Sequence, residues 1–447
     1  MVARWILTTV IAATLSANFA TAAPAIGCSN YSARYKKDLE GVCVCNTTQC
    51  DSVSNDYLKL GPNEASLYRT SRNVGERLQH EKLTFVDGSA SDADITIDAT
   101  TKYQKIIGFG GAFTDAAAIN LYKVVPDLQQ KILDAYYSET LALYYSKFIT
   151  AYKSEGIKIW GLTTQNEPDK PIIQPSAWQS LRFTTEIERD FIKKDLGPLL
   201  KANHPEVKII MMDDNKAHLP DWQAALTDAE ARKYVSGIGI HWYMNFDFPF
   251  GTGGNFQEMK DFYAKYPDVF MLGTEACEGY LPNILITSTG AGVKITDFNI
   301  VWWRAHNYAK DIINDLTSFA SGWTDWNLVL DTNGGPNWAK NFVDAPILVD
   351  ETGGKEFYKQ PMYYIMGHFS KFLTPGSQRL RFDAASKSKS RLGSVDWTAF
   401  LTPEGRYVAI LNNYGDSDQT VKIMAPNGKL VQVLLRSTAI QTLVFNA

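Results

Sequence analysis

The stretch KIWGLTTQNEPDK, Lys158–Lys170, reads as an apolar strand that stops abruptly on an amide, a carboxylate and a proline. Proline cannot continue a central ladder, so the strand ends at Asn166-Glu167. Five further apolar runs follow, and four of them share the habit. KIIGFGG, VKIIMMDDN, VSGIGIHWY, DVFMLGTEAC and SGWTDWNLVL are spread between Lys105 and Leu330. Helical patterns lie between most of them, over Ala177–Asn203, Asn255–Tyr266 and Val301–Ala320. Such alternation predicts βα units and a parallel sheet. The runs end on Asn166-Glu167, Asp213-Asp214, His241-Trp242-Tyr243, Thr274-Glu275 and Asp325-Trp326-Asn327. One polar strand end is ordinary, because a strand must meet solvent somewhere. Five together predict the C-terminal rim of a (β/α) barrel, where catalytic residues come from several strand ends.

Composition bounds the rest. The chain has 447 residues, 21% of them charged, with a net charge of -4. No basic block stands out, which argues against a nucleic-acid partner. Arg4, the apolar run Trp5–Ala20 and the small residues Ala20-Thr21-Ala22 form a signal-peptide pattern, with removal expected near residue 23. That places the chain in the secretory pathway, lysosomal or secreted. Of five cysteines, Cys28, Cys43, Cys45 and Cys50 crowd the new N-terminus. Cys43 and Cys45 are too close to favour each other, so Cys28–Cys43 with Cys45–Cys50 is the simplest of the three pairings. A zinc cluster is disfavoured by the leader and by the lack of a nearby histidine. Asn46 and Asn30 head glycosylation sequons, and Cys277 reads as a buried thiol.

From about Arg379 to Phe445, short alternating runs are broken by turn signals, of which PNGK at Pro426–Lys429 is a strong hairpin cue. This predicts an antiparallel β-sandwich, with DITIDAT as a further strand. The chemistry is expected in Glu167 and Glu275. Glycoside hydrolysis needs one carboxylic acid for the leaving oxygen and a second carboxylate as nucleophile or base. Asn166 can donate to a sugar hydroxyl, His241 and Tyr243 can orient or tune Glu275, and Trp326 can floor a sugar ring. Trp242, Trp302 and Trp303 are assigned to core packing. GFGGAFTDAAA lacks the spacing and the lysine of phosphate loops, and the six histidines lack metal-ligand spacing, so neither a cofactor nor a metal is expected.

These motifs, with GGPNW, NFVDAPI and FYKQPMYYIMGHFSKF, make the chain similar to the glucosylceramidase (acid β-glucosidase) family of glycoside hydrolases. The resemblance implies a (β/α)8 barrel at 105–327 with 359–374. It implies a small disulfide-stapled β domain at 24–54 with 328–358, and an immunoglobulin-like sandwich at 55–104 with 375–447. It implies retaining cleavage of glucosylceramide to glucose and ceramide, with Glu167 as acid/base and Glu275 as nucleophile. Asn166, Tyr243, Trp326 and Asn341 would line the glucose site. The substrate would be a glycosphingolipid at a membrane surface, helped by anionic lipids and a saposin-type activator.

The chain departs from the family in one place. Gly108 would follow the first barrel strand and Glu167 would end the fourth, yet only 59 positions separate them. Three βα units of about 30 residues cannot fit. Helical pattern over Pro126–Tyr137 and Ala142–Lys153 fills that span, and the discontinuity falls at Tyr136–Tyr145. The second and third barrel strands are therefore expected to be missing. With them would go an arginine, an aspartate and a tryptophan that the resemblance assigns to the glucose site. Two further readings follow: a truncated product that only binds lipid or sugar, or a retaining glycosidase on another β-linked glycan.

Overall fold

Six parallel strands form the central sheet: β1 (Gly108–Gly111), β2 (Gly161–Thr163), β3 (Lys208–Asn215), β4 (Val235–His241), β5 (Phe270–Glu275) and β6 (Ala320–Asp325). They belong to a computed structural model that describes residues 27–35, 41–73, 75–111, 120, 123, 125, 146–168, 183–245, 256–280, 290–390 and 392–446. The signal segment, the expected helix at Pro126–Tyr137 and the discontinuity at Tyr136–Tyr145 lie outside these residues. In space the order is β1-β6-β5-β4-β3-β2. Among the described residues, β1 and β2 are the two margins and no strand joins them. Among the described residues the sheet is thus the curled part of a TIM barrel, six parallel strands with an open edge at β1 and at β2.

The strands read as continuous apolar runs because helices cover the sheet, and β3 is buried from Ile209 to Asn215. Parallel neighbours need crossovers. Helix α1 (Ser146–Ser154) precedes β2. Helix α2 (Thr185–Phe191) follows it and continues through a π-turn to Asn203. Helix α3 (Phe256–Lys265) joins β4 to β5, and α4 (Phe298–Thr317) joins β5 to β6. The long α4 starts where the Asp297 side chain accepts the Ile300 N–H at 3.2 Å. Its buried stripe of Val301, Ala305, Tyr308, Ile312 and Leu316 follows the helical period. Trp242 and Trp302 are buried as expected, but Trp303 is 55% exposed. Two consecutive tryptophans on a helix point about 100° apart, so only one can face the core.

A second, four-stranded sheet pairs Cys43–Asn46, Glu356–Lys359, Ile347–Val349 and Val329–Asp331 in that order. The disulfides Cys28–Cys43 and Cys45–Cys50 staple it, as the cysteine spacing predicts. Ten antiparallel and mixed strands from Glu64–Lys105 and Gln378–Asn446 wrap a third core around Leu67, Ile97, Leu411, Val433 and Leu443. The hairpin at PNGK joins Gln419–Met424 to Lys429–Leu435, with Gly428 in the left-handed conformation. Helix α5 (Pro361–Ser370) joins the barrel to these strands through His368, whose ring nitrogens lie 2.8 Å from the Thr70 and Thr442 hydroxyls.

Candidate active site

Four neighbouring strands deliver one cluster of side chains. Glu167 lies four residues past the end of β2, in a left-handed conformation at φ 44°. Its N–H donates to the Asp213 carbonyl at 2.9 Å. Asp213 sits on β3, where Met212 and Asp213 are also left-handed, at φ 69° and 55°. The β3–β4 register slips between Met212 and Asp214. Such a bulge re-aims a side chain, and here it turns Asp213 toward β4. Gly239 makes room for that turn, because a Cβ there would stand 3.0 Å from Asp213 Oδ1 and 2.8 Å from Thr274 Oγ1. His241, ending β4, is fully buried. Its Nε2 lies 3.1 Å from Asp213 Oδ1 and its Nδ1 lies 3.3 Å from Glu167 Oε1. His241 is level with Glu275 at the end of β5. The Tyr243 hydroxyl donates to Glu275 Oε1 at 2.9 Å.

One oxygen from each of Glu167 and Glu275 and one nitrogen of His241 all lie within 4.8 Å of one another. The two carboxylates therefore approach at the short distance, about 5 Å, that suits direct attack by one of them. An inverting pair stands about 6.5 Å or more apart, to leave room for water. Three such groups can also hold a cation, but both imidazole nitrogens already face carboxylates.

Burial and charge act together on the cluster. Burial alone would depress the His241 imidazole. The carboxylates of Glu275, Asp213 and Glu167 outweigh it and hold the ring well above its usual range, so it is a cation at neutral pH. Burial, with Glu167 and Asp213 close by, pushes Glu275 up to about 7, against the pull of the His241 charge and the Tyr243 hydrogen bond. Burial keeps the Tyr243 phenol far above its ordinary value, so it remains a neutral donor. The same cause holds the Cys277 thiol well above its usual range, 3.6 Å from the Tyr243 hydroxyl. Asp325, at the end of β6, is pushed up to about 8 by burial and accepts the Tyr308 hydroxyl at 2.6 Å.

The other expected residues are placed less uniformly. Asn166 is exposed, and its backbone carbonyl accepts the Gln165 amide at 3.2 Å. Trp326 is half-buried against the same apolar cluster as Tyr243 and Tyr280. Asn341 is held by its own N–H on Asn337 Oδ1 at 3.2 Å, and no described contact joins its side chain to the glutamates. His241 was expected to touch substrate or tune Glu275. Full burial keeps it from a sugar surface, its charge acts on Glu275 as expected, and its hydrogen bonds go to Glu167 and Asp213. Asp213 was not singled out beforehand, although two carboxylates ending a run as apolar as KIIMM signal it.

A model of the glycosyl hydrolase family 30 TIM-barrel domain matches residues 137–373, and one of the family 30 beta sandwich domain matches residues 376–443. The chain belongs to glycosyl hydrolase family 30. Putative glucosylceramidase 4 of Caenorhabditis elegans is 32% identical over 88% of this chain and 90% of its own length. Lysosomal acid glucosylceramidase of Mus musculus is 30% identical over 90% of this chain and 92% of its own. The nematode alignment spans 495 positions, more than the 447 residues of this chain. The relative therefore carries residues that have no counterpart here. The barrel match also begins at residue 137, beside the discontinuity. Among solved structures, SrfJ from Salmonella typhimurium superposes with a TM-score of 0.72 at 19% identity, over 86% of this chain and 100% of its own. This family 30 glycoside hydrolase thus keeps the family fold around a shortened barrel.

Proposed function

We propose that this family 30 hydrolase cleaves β-glucosides with retention of configuration, and that glucosylceramide is its substrate. The short approach of Glu167 and Glu275 carries the reading, with the Tyr243 phenol on the second. Ionised Glu275 attacks the anomeric carbon as the glycosidic bond breaks, and protonated Glu167 gives its proton to the departing oxygen. The resulting glycosyl ester is then opened by water, whose proton returns to Glu167. Tyr243 steadies Glu275 through its hydrogen bond, and His241 holds Glu167 in place. Two names support the choice of substrate, the nematode and mouse glucosylceramidases. A membrane-embedded lipid, an activator of the saposin type and a lysosomal or secreted destination belong to the same proposal. Trp338 and Phe342, 73% and 41% exposed on the segment that carries Asn341, are suited to a lipid surface.

The test uses this chain with a fluorogenic β-glucoside, glucosylceramide in vesicles and a 2-deoxy-2-fluoro-glucoside trap. Hydrolysis that is lost in both Glu167→Gln and Glu275→Gln, with the label found on Glu275, is expected. A folded protein with neither turnover nor label overturns the reading and favours a protein that only binds lipid or sugar. The missing barrel residues motivate that second possibility. Turnover of β1,6-glucan alone would favour another glycan, since an endo-1,6-β-D-glucanase of Trichoderma harzianum is 24% identical over 66% of this chain.

A further inference from the structure

Glu188 is a carboxylate in an unexpected place. It belongs to α2, it is completely buried, and burial pushes it up to about 7. A buried carboxyl is a costly way to pack a helix, where leucine would serve. Its Oε1 accepts two hydrogen bonds, one from the Met212 N–H at 2.9 Å and one from the Thr164 hydroxyl. Its Oε2 meets no donor among the described residues.

Both partners sit directly upstream of the cluster. Thr164 lies three residues before Glu167, and its N–H donates to the Ile210 carbonyl at 3.1 Å. Met212 is the first of the two left-handed residues that turn Asp213 toward His241. The bulge takes the Met212 N–H out of the regular ladder, and a buried N–H must find an acceptor. Glu188 supplies it. The same oxygen ties β3 to the end of β2, so the two strands meet at a fixed angle. Asp213 then receives the Glu167 N–H on its carbonyl and faces His241 with its side chain.

We propose that Glu188 is a positioning residue for the acid/base step: through Thr164 and Met212 it sets the strand-end geometry that aims Glu167 and Asp213. This rests on the assignment of Glu167 as the acid/base. The alternative is that Glu188 merely stabilises the fold.

A leaving-group series separates them. A 2,4-dinitrophenyl glucoside departs without protonation, whereas an alkyl glucoside needs the acid. Glu188→Leu should lower kcat/KM for the alkyl glucoside by about 10- to 100-fold, a part of what general acid catalysis supplies. It should leave kcat/KM for the dinitrophenyl glucoside within about threefold. Glu188→Gln, which keeps the Oε1 acceptor, should rescue the alkyl substrate. Thr164→Val removes one donor from the other side and should give the same split, and it stands in if Glu188→Leu fails to fold. Equal losses on both substrates overturn the proposal. If the wild-type chain hydrolyses neither glucoside, the assignment of Glu167 fails, and histidine NMR then tests Glu188 alone. The His241 signal should titrate lower in Glu188→Leu or Thr164→Val than in wild type or Glu188→Gln. An unmoved signal overturns the proposal.

Discussion

Glu275→Gln should make the protein more stable, and only at pH values where Glu275 would be ionised. Burial lifts this carboxyl from an ordinary 4.5 to about 7. A displacement of that size corresponds to about 3 kcal/mol. The sign follows from proton binding. Between the two values the folded protein holds a proton that the unfolded chain has released, so stability falls as pH rises. The penalty is absent below about pH 4.5, grows between there and about pH 7, and is complete above. Glutamine has no proton to lose, and its side-chain oxygen can still accept from Tyr243. The assay is urea denaturation of wild type and Glu275→Gln across that range. The curves should coincide in acid and separate by about 3 kcal/mol in weak alkali. A constant difference, or one that grows toward acid, would refute the idea that a buried charge at Glu275 strains the fold.

The same charge governs rate. Ionised Glu275 is the nucleophile, so kcat/KM should fall about tenfold per pH unit below about 7, and His241→Gln should move that limb upward by removing the offsetting cation. A pH profile with a fluorogenic glucoside checks both. Gly239→Ala should cost about 100-fold in kcat/KM, because its methyl group would displace Asp213 and Thr274 where no slack exists. Steady-state kinetics beside a thermal melt will separate that loss from unfolding. Lys216 is buried with its Nζ 2.6 Å from both Asp311 Oδ1 and Asp315 Oδ1. Lys216→Met should therefore cost about 3–5 kcal/mol in urea denaturation, since two buried carboxylates lose their cation.

Strands β3 to β6 were legible because burial on both faces leaves nearly unbroken apolar runs, and each run ends on its polar group. Strand β2 was legible mainly by its end. Of KIWGLTTQNE only Gly161–Thr163 pairs, because among the described residues the strand has one neighbour. The pair Glu167 and Glu275 could be read from those ends, and so could Tyr243. Asp213 was harder, because its role depends on a bulge, and left-handed Met212 and Asp213 carry no signature in residues that normally avoid that conformation. Glu188 was invisible. In TEIERDF it looks like one more charge on a solvated helix face, yet it lies on the buried stripe that continues through Ile192, Leu196 and Leu200. Trp303 was misread because adjacency hid the helical rotation that separates it from Trp302.

The shortened barrel should be felt in binding more than in bond-making. Glu167, Asp213, His241 and Glu275 come from β2 to β5, which are consecutive neighbours in the sheet, so they are held by one another's strands. The resemblance assigns to the absent strands an arginine near the nucleophile, an aspartate for glucose hydroxyls and a tryptophan of the sugar pocket. A neutral hydrogen bond is worth about 0.5–1.5 kcal/mol and one to a charged group about 1.5–3. Losing the aspartate and one further contact should therefore weaken glucose binding by about 30- to 2,000-fold. The expected signature is a KM raised by that order relative to the mouse glucosylceramidase on the same β-glucoside, together with weak inhibition by glucose-shaped amines. A KM equal to that of the mouse enzyme would show that other residues have rebuilt the pocket, and would remove the reason to doubt glucosylceramide as substrate.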